Sequence, residues 1–154
     1  MTTLTDRILV GVDIGVDSRH LVRVAAELAG ALDAELHLIH VRLARSTVQG
    51  RPMTPAQRET GQHEADALLA ALAEEAETKG TAVTQHHVRF GEHIERELAL
   101  AQDQLEAGLL VIGSSRRGGV ARRLLGTPSS GAVRRSPGSV LVVREPAGEP
   151  GDRL

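Results

Sequence analysis

Apolar residues recur along this chain in two rhythms that alternate from end to end. RILVGVD (residues 7–13) is a short run of branched apolar residues closing on glycine and polar positions, the pattern of a buried parallel strand. Leu21, Ala25, Leu28, Ala29 and Leu32 then recur at helical spacing behind a cap at Asp17 or Ser18, which predicts a helix with one apolar face turned to a sheet. ELHLIHV (35–41) returns to the strand pattern. Residues 42–55 carry Ser, Thr, Gly and two prolines without period, so they predict a long surface loop whose length suggests a functional segment. A second helix is expected over 56–79, with Leu69, Leu72, Ala73 and Ala76 on one face and Gly80 placed to stop it.

TAVTQHHVRF (81–90) predicts a third strand, and Ile94, Leu98, Ala101 and Leu105 mark an amphipathic helix over 93–105. LLVIG (109–113) predicts the fourth strand. After a glycine-rich loop, a short helix is expected over 129–135, broken by Ser136-Pro137-Gly138 ahead of a fifth strand, SVLVV (139–143). Residues 145–154 read as a frayed tail rich in glycine and proline. Strands alternating with helices predict one α/β domain over 1–154, core 7–144, built as a doubly wound five-stranded parallel sheet with helices on both faces. Ligands of such sheets sit beyond the carboxyl ends of the strands where the winding reverses, which singles out Asp13 and Gly113.

Composition narrows the chemistry. With 154 residues, 41% hydrophobic and 25% charged, the chain has the make-up of a soluble single domain, and no apolar run reaches the ~20 residues of a membrane helix. The first residues, MTTLTDRILVGVD, do not follow the pattern of a secretory leader, so a cytoplasmic protein is expected. There is no cysteine, which excludes thiol catalysis and thiolate metal sites. Phe90 is the one residue among Phe, Trp and Tyr, so a platform for stacking nucleic-acid bases is nearly lacking. Charge is uneven despite a net −2: eleven of the twenty acids fall between Glu59 and Glu106, while residues 113–144 hold seven arginines and no acid. One end of the molecule should therefore be positive, through binding chemistry or simply through solubilising surface residues.

The loop IGSSRRGGVARRLLGTP (112–128) lies in that basic stretch. Gly113 closes a strand, Gly118 and Gly119 lie within, and Gly126-Thr127 precedes a helix, so amides and a hydroxyl can converge on an anion. It is not a Walker-type loop, and no GxGxxG follows the first strand. Thr127 and Pro128 are also a full structural explanation of a helix start, as cap and first-turn proline.

With ILVGVD in strand one, LHLIHV in strand two and LLVIGSS…GG…LLGT…AVRRSPGSVLVV at the end, the chain resembles the universal stress protein family over about residues 7–144. The resemblance implies strand order 3-2-1-4-5, a homodimer paired through the fifth strands (Val140, Leu141, Val142, Val143), and binding of ATP or AMP, with Mg²⁺ where ATP is bound. Val12 and Asp13 would lie near the adenosine, with Val41 beside the adenine. Gly113, Ser115, Arg116, Gly126 and Thr127 would hold ribose and phosphates. Nucleotide-binding members space Gly, two residues, Gly, nine residues, Gly, then Ser or Thr; here Gly113, Gly126 and Thr127 fit and Arg116 replaces the second glycine. Arg116 supplies neither positive φ nor close approach, though its guanidinium can fork onto phosphate, and Pro128 removes one amide from the helix start.

Other residue types yield less. His86 and His87 are neighbours on a strand and face opposite ways, as do His37 and His40, so solvated histidines are expected at His86, His87 and His93 and no metal site is assigned. No nucleophile elbow or zinc-protease motif is present, so no catalytic residue is assigned and any ATP hydrolysis would be slow. The VLVV edge needs cover, which a two-fold partner strand supplies. Three readings stand: an adenine-nucleotide-binding stress regulator, a nucleotide-free homodimeric module whose arginine face binds a protein, and, third, a nucleic-acid binder.

Overall fold

The computed structural model describes residues 6–14, 17–45, 50–114 and 136–144. The short helix expected over 129–135 and the tail 145–154 lie outside these. Five parallel strands form one sheet: β1 (Arg7–Val12), β2 (Glu35–Leu43), β3 (Val83–Gly91), β4 (Leu109–Ser114) and β5 (Ser139–Arg144), in the order β3-β2-β1-β4-β5. The expected strand order and doubly wound class are therefore observed. Among the described residues three helices join them: α1 (Arg19–Leu32), α2 (Pro55–Glu77) and α3 (Ile94–Gln104). Among the described residues, no helix is long and apolar enough to cross a membrane.

The side chains of β1 alternate between two cores, as a strand covered on both faces requires. Ile8, Val10 and Val12 pack with Leu36 and Leu38 of β2 against Leu21, Val22, Ala25, Ala26 and Ala29 of α1 and Leu69, Leu72 and Ala76 of α2. Leu9, with Ile39, Leu110 and Ile112, packs against Ile94, Leu98 and Ala101 of α3. Gly11 serves this second face: a Cβ there would stand 3.3 Å from Leu98 Cδ2, so glycine lets α3 sit close. Each fully buried Leu, Ile or Val contributes on the order of 1.5–3 kcal/mol relative to its exposed state. The chain leaves β1 towards β2 and returns from β3 to β4 on the far side of β1. The winding thus reverses between β1 and β4, beside Asp13 and Gly113.

Several boundaries differ from expectation for identifiable reasons. Strand β2 runs on to Leu43 because Arg42 and Leu43 still pair with Phe90 and Gly91 of β3. The loop is correspondingly shorter and partly ordered by an Arg45–Pro52 bridge. Helix α2 starts at Pro55 rather than at 56: Thr54 accepts a bond from Gln57 N at 3.2 Å and its own amide donates to Gln57 Oε1 at 2.9 Å, a capping box. Ser18 is the α1 cap residue by position, but its side chain makes no cap bond; Asp17 Oδ1 accepts from Arg19 N at 3.0 Å instead. The Arg19 side chain and amide hold the Asp17 carboxyl at about 2. Helix α1 ends on Asp33 in the left-handed region (φ 53), a role usually taken by glycine.

Candidate functional site

A cavity of about 600 Å³ opens beyond the carboxyl ends of β1 and β2, facing the first turns of α2. Its size lies within the ~300–1,000 Å³ of small-molecule sites. Asp13 and Ile14, where the chain leaves β1, form one side; His40, Val41, Arg42 and Leu43 of β2 form the floor. Met53 and, from α2, Ala56, Gln57, Thr60, Gly61 and Glu64 close the opposite wall, with Arg45 at the rim. Ile14 is 44% exposed, an apolar side chain at the mouth without full cover.

The structure brings Asp13 and Val41 together on the lining of this one cavity. Val12 stands behind it: buried, it turns its carbonyl to His40 Nδ1 at 2.8 Å. Gly113 is the last residue but one of β4, one residue beyond the Gly11–Ile112 pair, and does not line the cavity. Nothing described around Gly113 demands glycine. Its φ lies outside the left-handed region, and a Cβ would meet Leu21 Cδ2 at an ordinary 3.5 Å. Ser115, Arg116, Gly126 and Thr127 lie outside the described residues, and so do all of the seven basic-stretch arginines except the exposed Arg144.

Two arginines are held at the mouth by carboxylates, Arg42 to Glu64 at 3.2 Å and Arg45 to Glu92 at 3.1 Å. Gly61 makes room for the first pair, since a Cβ on α2 there would stand 3.0 Å from Arg42 Nε. A glycine inside a helix costs about 1 kcal/mol relative to alanine, which the close seat of Arg42 accounts for.

The histidines were the least legible part. His37 and His40 are both buried, at 6% and 4% exposure, though neither had an assigned role. Burial pushes the His40 pKa below its ordinary value, against the Val12 bond and the nearby Asp13 charge, which favour the proton. His86 and His93 are exposed as expected, but His87 is half-buried and its Nε2 faces His37 Nδ1 at 3.2 Å. On its other side His37 Nε2 meets Glu35 Oε2 at 3.1 Å. A carboxylate only accepts, so His37 donates to Glu35, and His87 donates to the bare His37 Nδ1 in the neutral pair. The facing nitrogens share one proton across the β2–β3 seam, a structural tie rather than a pair of metal ligands. Among the described residues, no three metal-ligating side chains of His, Cys, Asp or Glu converge.

A model described as the Universal stress protein family matches residues 5–144. No curated protein matches the chain significantly in sequence. Among solved structures, a universal stress protein in complex with cAMP is similar at TM-score 0.66 and 26% identity, covering 94% of this chain and 98% of that one. A protein of the universal stress protein family from Burkholderia pseudomallei aligns at TM-score 0.68 and 20% identity over 93% and 98% of the two chains. The universal stress protein from Archaeoglobus fulgidus in complex with dAMP aligns at 0.66 and 20% over 90% and 97%. Sheet order and a family match spanning the whole core agree: the chain belongs to the universal stress protein family.

Proposed function

We propose that this protein is a regulatory adenine-nucleotide binder whose nucleoside end enters the cavity between Asp13, Val41 and the first turns of α2. The observation that carries the reading is the cavity itself, which gathers Asp13 and Val41 at the carboxyl edge of the sheet beside the reversal of winding. The cAMP complex of a relative 26% identical to this chain supports a purine nucleotide as the first ligand to test. AMP or ATP would run from this cavity towards Gly113, where the lack of any described structural need for glycine suits close approach of a ligand. Ser115, Arg116, Gly126 and Thr127 are proposed for the ribose and phosphates. A Mg²⁺ arriving with ATP fits the described residues only loosely: the carboxylates lining the cavity are Asp13 and Glu64, and Glu64 pairs with Arg42, so the ion would keep phosphate and water oxygens. The role is binding and signalling in the cytoplasm by a homodimer, with no dedicated catalytic group.

Calorimetric titration of the nucleotide-stripped protein with AMP and with ATP, with and without Mg²⁺, tests this. Binding in the micromolar range, weakened at least about tenfold by Gly113→Ala while the melting temperature stays put, is the expected result. No heat from either nucleotide at millimolar concentration would overturn it.

A further inference from the structure

Beneath the cavity lies a side chain that nothing in the proposed site yet employs. His40 is 4% exposed and sits on β2 with Leu36 and Leu38 on the face that α1 and α2 cover. Its Nδ1 is 2.8 Å from the carbonyl oxygen of Val12. A carbonyl can only accept, so Nδ1 carries the hydrogen, and in the neutral ring Nε2 is left as a bare acceptor. No described residue bonds to Nε2. Yet among the described residues no enclosed side-chain nitrogen or oxygen lacks a partner. Since His40 lines the cavity, Nε2 is the part of the ring that opens onto it.

We infer that His40 is a specificity-determining residue, whose Nε2 accepts a hydrogen bond from the bound base and so selects a 6-aminopurine over a 6-oxopurine. This rests on the nucleotide reading above and goes beyond it, because it assigns the choice of base to one side-chain atom. Adenine offers an N6 amine that donates; hypoxanthine and guanine place a carbonyl oxygen at the same position. An oxygen there would face the His40 lone pair, leaving two acceptors opposed. Sites that read a ligand through a buried polar group reject the mismatched analogue far more strongly than apolar pockets do, because the protein group is then left unpaired.

The discrimination should invert with acid. The charged groups bearing on the ring are Asp13 from the end of β1 and Arg42 on its own strand, the latter tied to Glu64 of α2. Once protonated, Nε2 becomes a donor and favours the 6-oxo base. AMP and IMP carry the same phosphate, so its titration cancels in the ratio of their affinities.

The test measures AMP and IMP binding to the full chain, wild type and His40→Asn. Asparagine can keep a donor near the Nδ1 position for the Val12 carbonyl while deleting Nε2. Expected are a wild-type preference for AMP of at least about tenfold, collapse of that ratio towards one in the variant, and a wild-type ratio that falls from about pH 8 to pH 5. The pH series needs no variant, so it decides the matter even if His40→Asn fails to fold. Wild-type protein that binds AMP and IMP equally at neutral pH, with a ratio flat in pH, overturns the role of His40 and leaves nucleotide binding intact; a ribose hydroxyl on Nε2 would give that result. Wild-type protein that binds neither overturns both readings.

Discussion

At the scale of single residues, the buried polar side chains among the described residues are Ser18, His37, His40 and Gln102, and they tie elements together or respond to pH. Gln102 is fully enclosed on α3, where its amide donates to Ser139 O at 3.2 Å and its oxygen accepts from Ser136 Oγ. This fastens α3 to the entry of β5. Gly138 lies under it, since a Cβ there would stand 2.7 Å from Gln102 Nε2 and 2.9 Å from Gly108 O. Helical spacing marks Ile94, Leu98 and Ala101 as core but cannot show that the next position, a glutamine, is enclosed too. His40 and His87 have pKa values pushed below the ordinary 6.5, chiefly by burial. The unfolded chain therefore takes up protons first as pH falls, so stability is fully present above about 6.5 and is lost as pH drops towards the folded pKa values. Calorimetric melting should show a melting temperature that declines below that pH, with a shallower slope in His40→Asn. A melting temperature flat from pH 7.5 to about pH 5 would contradict this account of the two rings.

At the scale of elements, the chain was legible where hydrophobic period alone decides. The runs ILVGV, LHLIHV and LLVIG became β1, β2 and β4 because branched residues on both faces of a strand suit a sheet covered on both sides. Legibility failed at ends governed by local hydrogen bonds. The capping box at Thr54 and Gln57 was hidden because Thr54 sits between two prolines and reads as loop. It is also where the candidate site depends on secondary structure, since the cap fixes the first turns of α2 that wall the cavity. Thr54→Ala should cost about 0.5–2 kcal/mol in chemical denaturation, and should weaken nucleotide binding by loosening that wall. Unchanged denaturation would show that Pro55 alone sets the helix start. The half of the site that was expected but lies outside the described residues, from Ser115 to Thr127, belongs to a stretch whose glycines and arginines carry no hydrophobic period at all.

At the scale of the whole molecule, the sheet has β3 at one edge and β5 at the other. Val140 and Val142 of β5 pack on the α3 core, Val143 packs on the opposite one, and Leu141 remains 36% exposed. An apolar edge strand is a template for association, and a two-fold partner strand satisfies it. Light scattering at micromolar concentration should show a dimer for the wild type and a monomer for Leu141→Arg. A wild-type monomer would remove the proposed pairing.

The central claim is that a purine nucleotide occupies the cavity at the carboxyl ends of β1 and β2, and locating the ligand tests it more directly than affinity alone. AMP titrated into ¹⁵N-labelled protein should shift backbone amides at Asp13, Val41, Arg42, Thr60 and Gly61 first and most, with smaller changes reaching Gly113. Shifts confined to other surfaces, or no saturable shift at any amide, would contradict it.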